Sequence, residues 1–477
     1  MEVSSEKFKQ NVATAVEDEN LKGAMGKLTG ALRPNRARAV GNLPEFDRLR
    51  DHGIAIKMHT LDHLDQYLLQ FEENVIANGG HVHWCADEDS ARQTILELCR
   101  RHKVKHVTKG KSMVTEELGL NDFLDSHGIL PLETDLGEYI IQLRGESPSH
   151  IIAPATHLQR DDIAQTFRDA HQHLDLDRPM DTAESLTEEA RQALREKYGA
   201  ADAGITGANF LIAETGSSII VTNEGNGDLT QTMTDVHIVV ASLEKILPTM
   251  DDAGVMLRLL ARSATGQDMS VYTTMSSGPR RPRDLDGPEH FHVVLVDNGR
   301  SRMLAGSERE MLRCIRCSAC LNHCPVYAAI GGHAYGWVYS GPMGKVMTPS
   351  LAGLEQTKDL PNASSFCGKC EEVCPMRIPL PKLMRNLRAK QTEARMTPMK
   401  QRFFLSLWSY LAARPAMYRL VTGMLTGMMR ALARGRPVLR HLPLMKGWTD
   451  SRDLIVPEEG GTFFARYRDM QKGDGHE

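Results

Sequence analysis

Seven cysteines lie between Cys314 and Cys374, and their spacing marks the chemistry of this chain. Cys314-Ile-Arg-Cys317-Ser-Ala-Cys320-Leu-Asn-His-Cys324-Pro325 is a C-x2-C-x2-C-x3-C-P run, the bacterial ferredoxin pattern. Three thiolates separated by pairs of residues wrap a tight loop around one face of an iron–sulfur cube. The fourth begins the next segment and points away, and proline after it keeps the chain from folding back. In such runs the fourth cysteine serves the other cluster when two are present. Cys367-Gly-Lys-Cys370-Glu-Glu-Val-Cys374-Pro375 is the partner motif with one cysteine fewer, and the spacing puts Ser364 where its first cysteine would stand. Crossed ligation then assigns Cys314, Cys317, Cys320 and Cys374 to the first of two [4Fe-4S] clusters. The second receives Cys324, Cys367 and Cys370. Its fourth iron binds Ser364, another group or water, or is absent, which would make it [3Fe-4S]. Structural zinc is the competing reading, but zinc sites present two separated Cys or Cys/His pairs. Seven cysteines with two Cys-Pro endings do not divide that way.

The remaining two of nine cysteines, Cys85 and Cys99, stand alone and are expected to be inert packing thiols. A secreted disulfide framework would spread paired cysteines through a small domain behind a signal peptide. Here residues 1–20 are charged and lack an apolar core, which points to a cytoplasmic protein with reduced thiols. Lys plus Arg is 57 and Asp plus Glu is 61, so the formal charge is −4. That balance, with few aromatics, disfavours a nucleic-acid binder.

The elements that must position the cysteines follow from the pattern of the 477 residues. Residues 1–75 read as a polar helical segment. From residue 76 strands alternate with helices, as in an α/β domain with a largely parallel sheet. Residues 81–86, 105–108, 129–133, 150–153, 209–213, 218–222, 237–241, 270–275 and 292–296 are strand candidates. Residues 87–103 and 112–127 are helix candidates, and 214–216 and 223–227 are turns. This domain is expected to close at residue 302. Residues 303–392 form the cysteine domain. Residues 393–477 are a basic, Met-rich C-terminal region; from 394 to 449 there are ten Lys or Arg and no Asp or Glu. That stretch suits a helical cap, a partner interface or an anionic membrane surface. Its apolar runs are too short to span a bilayer.

These residues, together with others, resemble the lactate utilisation protein B family over nearly the whole chain. The resemblance includes Lys111-Ser-Met-Val-Thr-Glu-Glu117, Glu133-Thr-Asp-Leu-Gly-Glu138, Gly204-Ile-Thr-Gly-Ala-Asn209, Ala213-Glu-Thr-Gly-Ser217, Val221-Thr-Asn-Glu-Gly-Asn226, Val296-Asp-Asn-Gly-Arg300 and Ile330-Gly-Gly-His-Ala-Tyr-Gly336. It implies a multidomain α/β plus α architecture. A LUD domain, similar to the NagB/RpiA/CoA-transferase class, precedes a helical double-cluster ferredoxin domain. It also implies an electron-transfer subunit in the oxidation of L-lactate to pyruvate, acting with two partners, the A and C proteins (LutA-like and LutC-like). Some relatives carry Cys where this chain has Ser364. Rival readings are an α/β enzyme acting on a thioester or sugar phosphate, and a redox-sensing scaffold.

Three polar sequences fall where strands end: 109–117, 214–217 and 223–226. Lys109, Lys111 and Ser112 would suit an anion, and Glu214 could act as a nucleophile if the CoA-transferase likeness extended to chemistry. The plainer expectation is capped turns. No flavin fingerprint occurs, and Gly110-Lys111-Ser112 lacks the earlier glycine of a P-loop. The i, i+2 pairs His81/His83, His171/His173 and His290/His292 are expected to be packing or surface residues with no third ligand nearby. His333, Tyr335 and Tyr339 are expected to shield the clusters and donate hydrogen bonds to them.

Overall fold

Ten strands form among the described residues of the α/β region: β1 (His81–Cys85), β2 (His106–Gly110), β3 (Leu130–Glu133), β4 (Ala203–Thr206), β5 (Phe210–Ile212), β6 (Ser217–Thr222), β7 (Val236–Ser242), β8 (Ile246–Leu247), β9 (Tyr272–Ser276) and β10 (His290–Val296). The computed structural model describes residues 3–110, 112–175, 177–442, 449, 452–457 and 461–473. The anion-binding role expected of Lys111 therefore falls outside the described residues.

β7 is buried at every position, as a central strand covered on both faces must be. The six-stranded sheet is parallel throughout, in the order β1-β10-β7-β4-β2-β3. A second sheet, β8-β5-β6-β9, is mostly antiparallel. Helices cover these sheets, and their starts are legible in the sequence. Asp87 with Ser90, Thr182 with Ser185 and Thr249 with Asp252 form reciprocal caps at the helices Glu88–Arg101, Ala183–Gly199 and Met250–Ala264.

Three local expectations are corrected. Residues 112–127 are not one helix but two, Met113–Glu117 and Leu120–Asp125, parted at Gly119, whose φ of 60° is left-handed. The second turn is short, because the helix Asn226–Thr232 already starts at Asn226. Residues 150–153 are a loop, not a strand, because their partners lie in the cysteine region rather than in a sheet. His150 Nε2 meets Asn322 Oδ1 at 3.0 Å, and Tyr327 donates to the Ser149 carbonyl at 2.8 Å. Gly332 packs so tightly here that a Cβ would fall 1.6 Å from the Ser149 oxygen.

Residues Met1–Glu393 form one compact unit and Ala394–Glu477 a second. In the first unit the N-terminal helices belong to the cysteine region's packing. Glu19–Gly41 packs on Pro325–Ile330, and Phe46–Asp62 packs on Met250–Ala264. One apolar core runs from Phe8 and Phe46 through Met256 and Leu259 to Tyr327 and Val346. In the second unit, Met399–Ala412 and Pro415–Ala433 are helices, and Pro415 opens the latter. Strands β11 (Val438–Leu439) and β12 (Leu454–Ile455) pair antiparallel. Phe403, Leu420 and Met424 are each about two-thirds exposed there. No helix among the described residues is long and apolar enough to cross a membrane.

Candidate iron–sulfur centres

The first cysteine run turns through left-handed backbone at Arg316 and Ser318, both with φ of 60°. Non-glycine residues adopt that region rarely, and here it coils the loop tightly enough to aim several side chains at one point. Cys314, Cys317, Cys320 and Cys374 line one hollow with about 370 Å³ of atom-free space. Cys324, Cys367 and Cys370 line a second, of about 300 Å³, and Ser364 stands on its wall. The two motifs therefore exchange their last cysteines in space. Ser364 Oγ accepts from the Phe366 amide at 3.2 Å. Cys367 is exposed, whereas Cys317, Cys324, Cys370 and Cys374 are buried, so the second hollow lies nearer solvent.

The surroundings of both hollows call for negative charge. Lys345 is 1% exposed, and its ammonium donates to Cys324 Sγ at 3.8 Å with the Tyr335 ring 5.6 Å away. No carboxylate pairs with it among the described residues. The Tyr335 hydroxyl is buried and unpartnered beside the same cysteine. Around the first hollow, Arg36 donates to the Val373 carbonyl at 2.7 Å and Arg50 to the Cys374 carbonyl at 2.7 Å. Burying such cations is costly unless an anion compensates. A thiolate-ligated cluster, which carries net negative charge, meets that need in both places. Burial pushes the Cys374 thiol up to about 11 and the Cys370 thiol up to about 12. Only a metal that displaces the protons turns these groups into ligands.

A buried ion network ties the α/β sheet to the first cysteine loop. Arg300, 1% exposed, donates to Glu117 Oε1 at 2.9 Å and Oε2 at 2.7 Å. Tyr339 donates to the same carboxylate at 2.6 Å. Arg300 Nε also lies 3.0 Å from Glu244 Oε2, and Arg316 donates to Glu244 Oε1 at 3.1 Å. Burial raises the proton affinity of Glu117 and Glu244, but the guanidiniums outweigh it and hold both carboxyls below their ordinary range. Arg316, between two cysteines of the first hollow, is thus fixed by the sheet.

The other candidate residues divide clearly. Lys109 is buried and its ammonium pairs with Glu116 and, at 2.7 Å, with Glu133. It is consumed inside the fold and is no anion site. Ser112 caps the helix Met113–Glu117. Glu214 is exposed and accepts from the Met250 amide at 3.1 Å, a capping role away from any cleft. His333 is exposed and bonds the Ser147 carbonyl, so it shields neither hollow. Tyr339 serves Glu117 instead of a cluster, whereas Tyr335 does sit beside Cys324. Cys85 and Cys99 are buried in the core.

His171 is buried between Glu189 and Tyr139. The expectation that no third histidine neighbours the strand pairs is corrected. β1 and β10 are adjacent, so His83 meets His292 at 3.2 Å, and His102 reaches His292 at 3.4 Å. No group of three is arranged to hold a metal among the described residues. The sequence pattern gave no sign of Glu117, Glu244, Arg300, Arg36 or Arg50, because each pairs with a residue remote in the chain.

Two family models match, the LUD domain over residues 68–296 and the 4Fe-4S dicluster domain over residues 310–378. The chain therefore carries an iron–sulfur domain. Relatives named lactate utilization protein B, from Bacillus thuringiensis (strain Al Hakam), Bacillus cereus (strain AH187) and Bacillus anthracis (strain A0248), are each 40% identical over 474 residues, which is 99% of this chain and 99% of theirs. A crystal structure of a DUF162 family protein from Deinococcus radiodurans overlaps 49% of this chain and 98% of its own at 15% identity, with a TM-score of 0.27. With the LUD fold followed by the cysteine domain, and with relatives matched from end to end, the chain belongs to the lactate utilization protein B family.

Proposed function

We propose that this protein is the iron–sulfur electron-transfer subunit of a complex that oxidises L-lactate to pyruvate. The observation that carries the reading is the pair of cysteine hollows in one compact unit, each ringed by cations or donors that call for an anion. Cys314, Cys317, Cys320 and Cys374 hold one cluster. Cys324, Cys367 and Cys370 hold the other, with Ser364 as its fourth ligand. When bound, such clusters supply one-electron transfer at potentials set by charge, hydrogen bonds and exposure. Lys345 and Tyr335 direct their donors toward the second cluster's ligands, and Arg316 directs charge toward the first. No flavin or nicotinamide fingerprint occurs in the sequence, so partners of the A and C kind supply the two-electron chemistry. The thioester-enzyme alternative loses its nucleophile, since Glu214 is exposed and engaged in capping. Purification of the complex from cells growing on L-lactate tests the assignment. This chain should co-purify with both partners, and a deletion strain with no second lactate dehydrogenase should fail to grow on L-lactate. Normal growth would remove the assignment.

An oxygen ligand and an exposed Cys367 make the second cluster the more oxidant-sensitive one. Ser364→Cys should slow its bleaching in air several-fold, followed by visible absorbance and EPR. Earlier loss of the four-cysteine cluster, or an unchanged cluster in Ser364→Ala, would contradict the ligand assignment.

The C-terminal unit combines cations with exposed Phe, Leu, Trp and Met side chains. That composition supports peripheral contact with an anionic membrane face, in addition to partner docking. Flotation with vesicles of phosphatidylglycerol should recover the holoprotein at low salt, and release should occur as salt screens the cations. Absence from the vesicle fraction at low salt leaves the partner-docking role.

A further inference from the structure

A cleft with about 1110 Å³ of atom-free space, its mouth included, lies at the carboxyl ends of β2, β3, β4 and β7. Ligands of open α/β sheets bind at strand carboxyl ends where the strand order reverses. Here β2 leads outward to β3, whereas β4 leads the other way, toward β7, so the reversal falls between β2 and β4. Ser112, just after β2, and Gly207 and Asn209, just after β4, line the cleft.

Lys245 stands on its wall and is only 8% exposed. Its ammonium has no hydrogen-bonding or ion-pairing partner among the described residues. The neighbouring Glu244 carboxylate is already taken by Arg300 and Arg316. A buried ammonium left alone costs several kcal/mol in a protein interior, and an incoming anion removes that cost. Asp135 and Glu138 line the same cleft, which limits the negative charge it accepts. A monoanion with a second polar group beside its carboxylate meets both ends, whereas a phosphate dianion meets repulsion. Ile152, Val240 and Leu260 offer apolar wall for a short carbon chain.

We infer that this cleft binds a small 2-hydroxy or 2-oxo monocarboxylate, its carboxylate on Lys245 and its carbon chain on the apolar wall. The choice of acid rests on the lactate reading above; the presence of an anion site rests on Lys245. Ile151 and Arg316 line both the cleft and the four-cysteine hollow, so the bound acid lies beside the first cluster's loop. The chain holds no two-electron acceptor of its own, so it binds the acid without oxidising it.

The test uses the full-length, cluster-loaded protein under anaerobic conditions, titrated calorimetrically with L-lactate, pyruvate, propionate and inorganic phosphate. L-lactate or pyruvate should bind at least tenfold tighter than propionate or phosphate. Lys245→Gln should weaken that binding by about tenfold or more, Lys245→Arg should restore most of it, and Leu260→Trp should block it with iron content unchanged. No binding of the two acids to the unmodified protein overturns the inference, as does binding indifferent to both Lys245→Gln and Leu260→Trp. If Lys245→Gln changes only the cluster potential, Lys245 merely balances cluster charge and the inference falls. Lactate-driven electron transfer in the complex without binding here overturns this inference alone. Binding here without such transfer counts against the electron-transfer reading and leaves the site standing.

Discussion

Cys317→Ala is expected to remove about four irons per chain and to abolish lactate-dependent electron flux, while the α/β sheet stays folded. The intact protein, with two clusters, should carry about seven to eight irons. Cys317 lies in the four-cysteine hollow and reaches none of the residues of the second. Its loss leaves three thiolates and a ring of arginines without their anion. The six-stranded sheet should survive, because it is packed by its own core of residues such as Ile95, Val107, Ile205 and Val240. Circular dichroism should therefore change little while iron, sulfide and visible absorbance fall by about half. Stoichiometric zinc with no visible absorbance in the unmodified protein would overturn the iron–sulfur account.

Arg300→Met is expected to cost about 3–5 kcal/mol of stability, the range for removing one partner of a buried ion pair. The substitution leaves Glu117 with Tyr339 and Asn298 as its remaining donors, inside a region that admits no water to replace the guanidinium. It also removes the cation that lies beside Glu244, which then depends on Arg316. The double change Glu117→Gln with Arg300→Met should cost less than the sum of the two single changes, because the neutral pair no longer strands a charge. Denaturant unfolding of the holoprotein, followed by tryptophan fluorescence, measures both. A loss under about 1 kcal/mol in the single variant would mean that the pair behaves as a solvated surface bridge. The network also links stability to pH. Glu117 and Glu244 are held below their ordinary range by the arginines, so their contribution is present near neutrality and lost as pH falls through those depressed values.

Sequence alone disclosed what local spacing encodes. The cysteine runs showed their crossed pattern, and the fully apolar strands β7 and β10 showed the buried parallel sheet. Capping residues marked helix starts. Local pattern failed where the deciding partner is far away. Residues 150–153 carry strand-like residues but bond to Asn322 and Tyr327, so apolar texture there serves contact with the cysteine region. Lys109 looked like an anion ligand in an exposed loop, yet strand pairing buries it against Glu133. Glu117 and Arg300 are 183 positions apart and look like ordinary surface charges in the sequence. Lys245 was unreadable for the same reason: only the tertiary fold shows that its neighbour's carboxylate is spoken for.

The central claim is that this chain relays electrons released from lactate. The most direct test is EPR of the anaerobic protein reconstituted with its two partners, before and after addition of L-lactate. The account predicts that reduced-cluster signals from both sites appear on adding lactate, that the chain without partners stays oxidised, and that Cys317→Ala shows no reduction by lactate through the first site. Clusters that remain oxidised in the complete complex while pyruvate accumulates would contradict it.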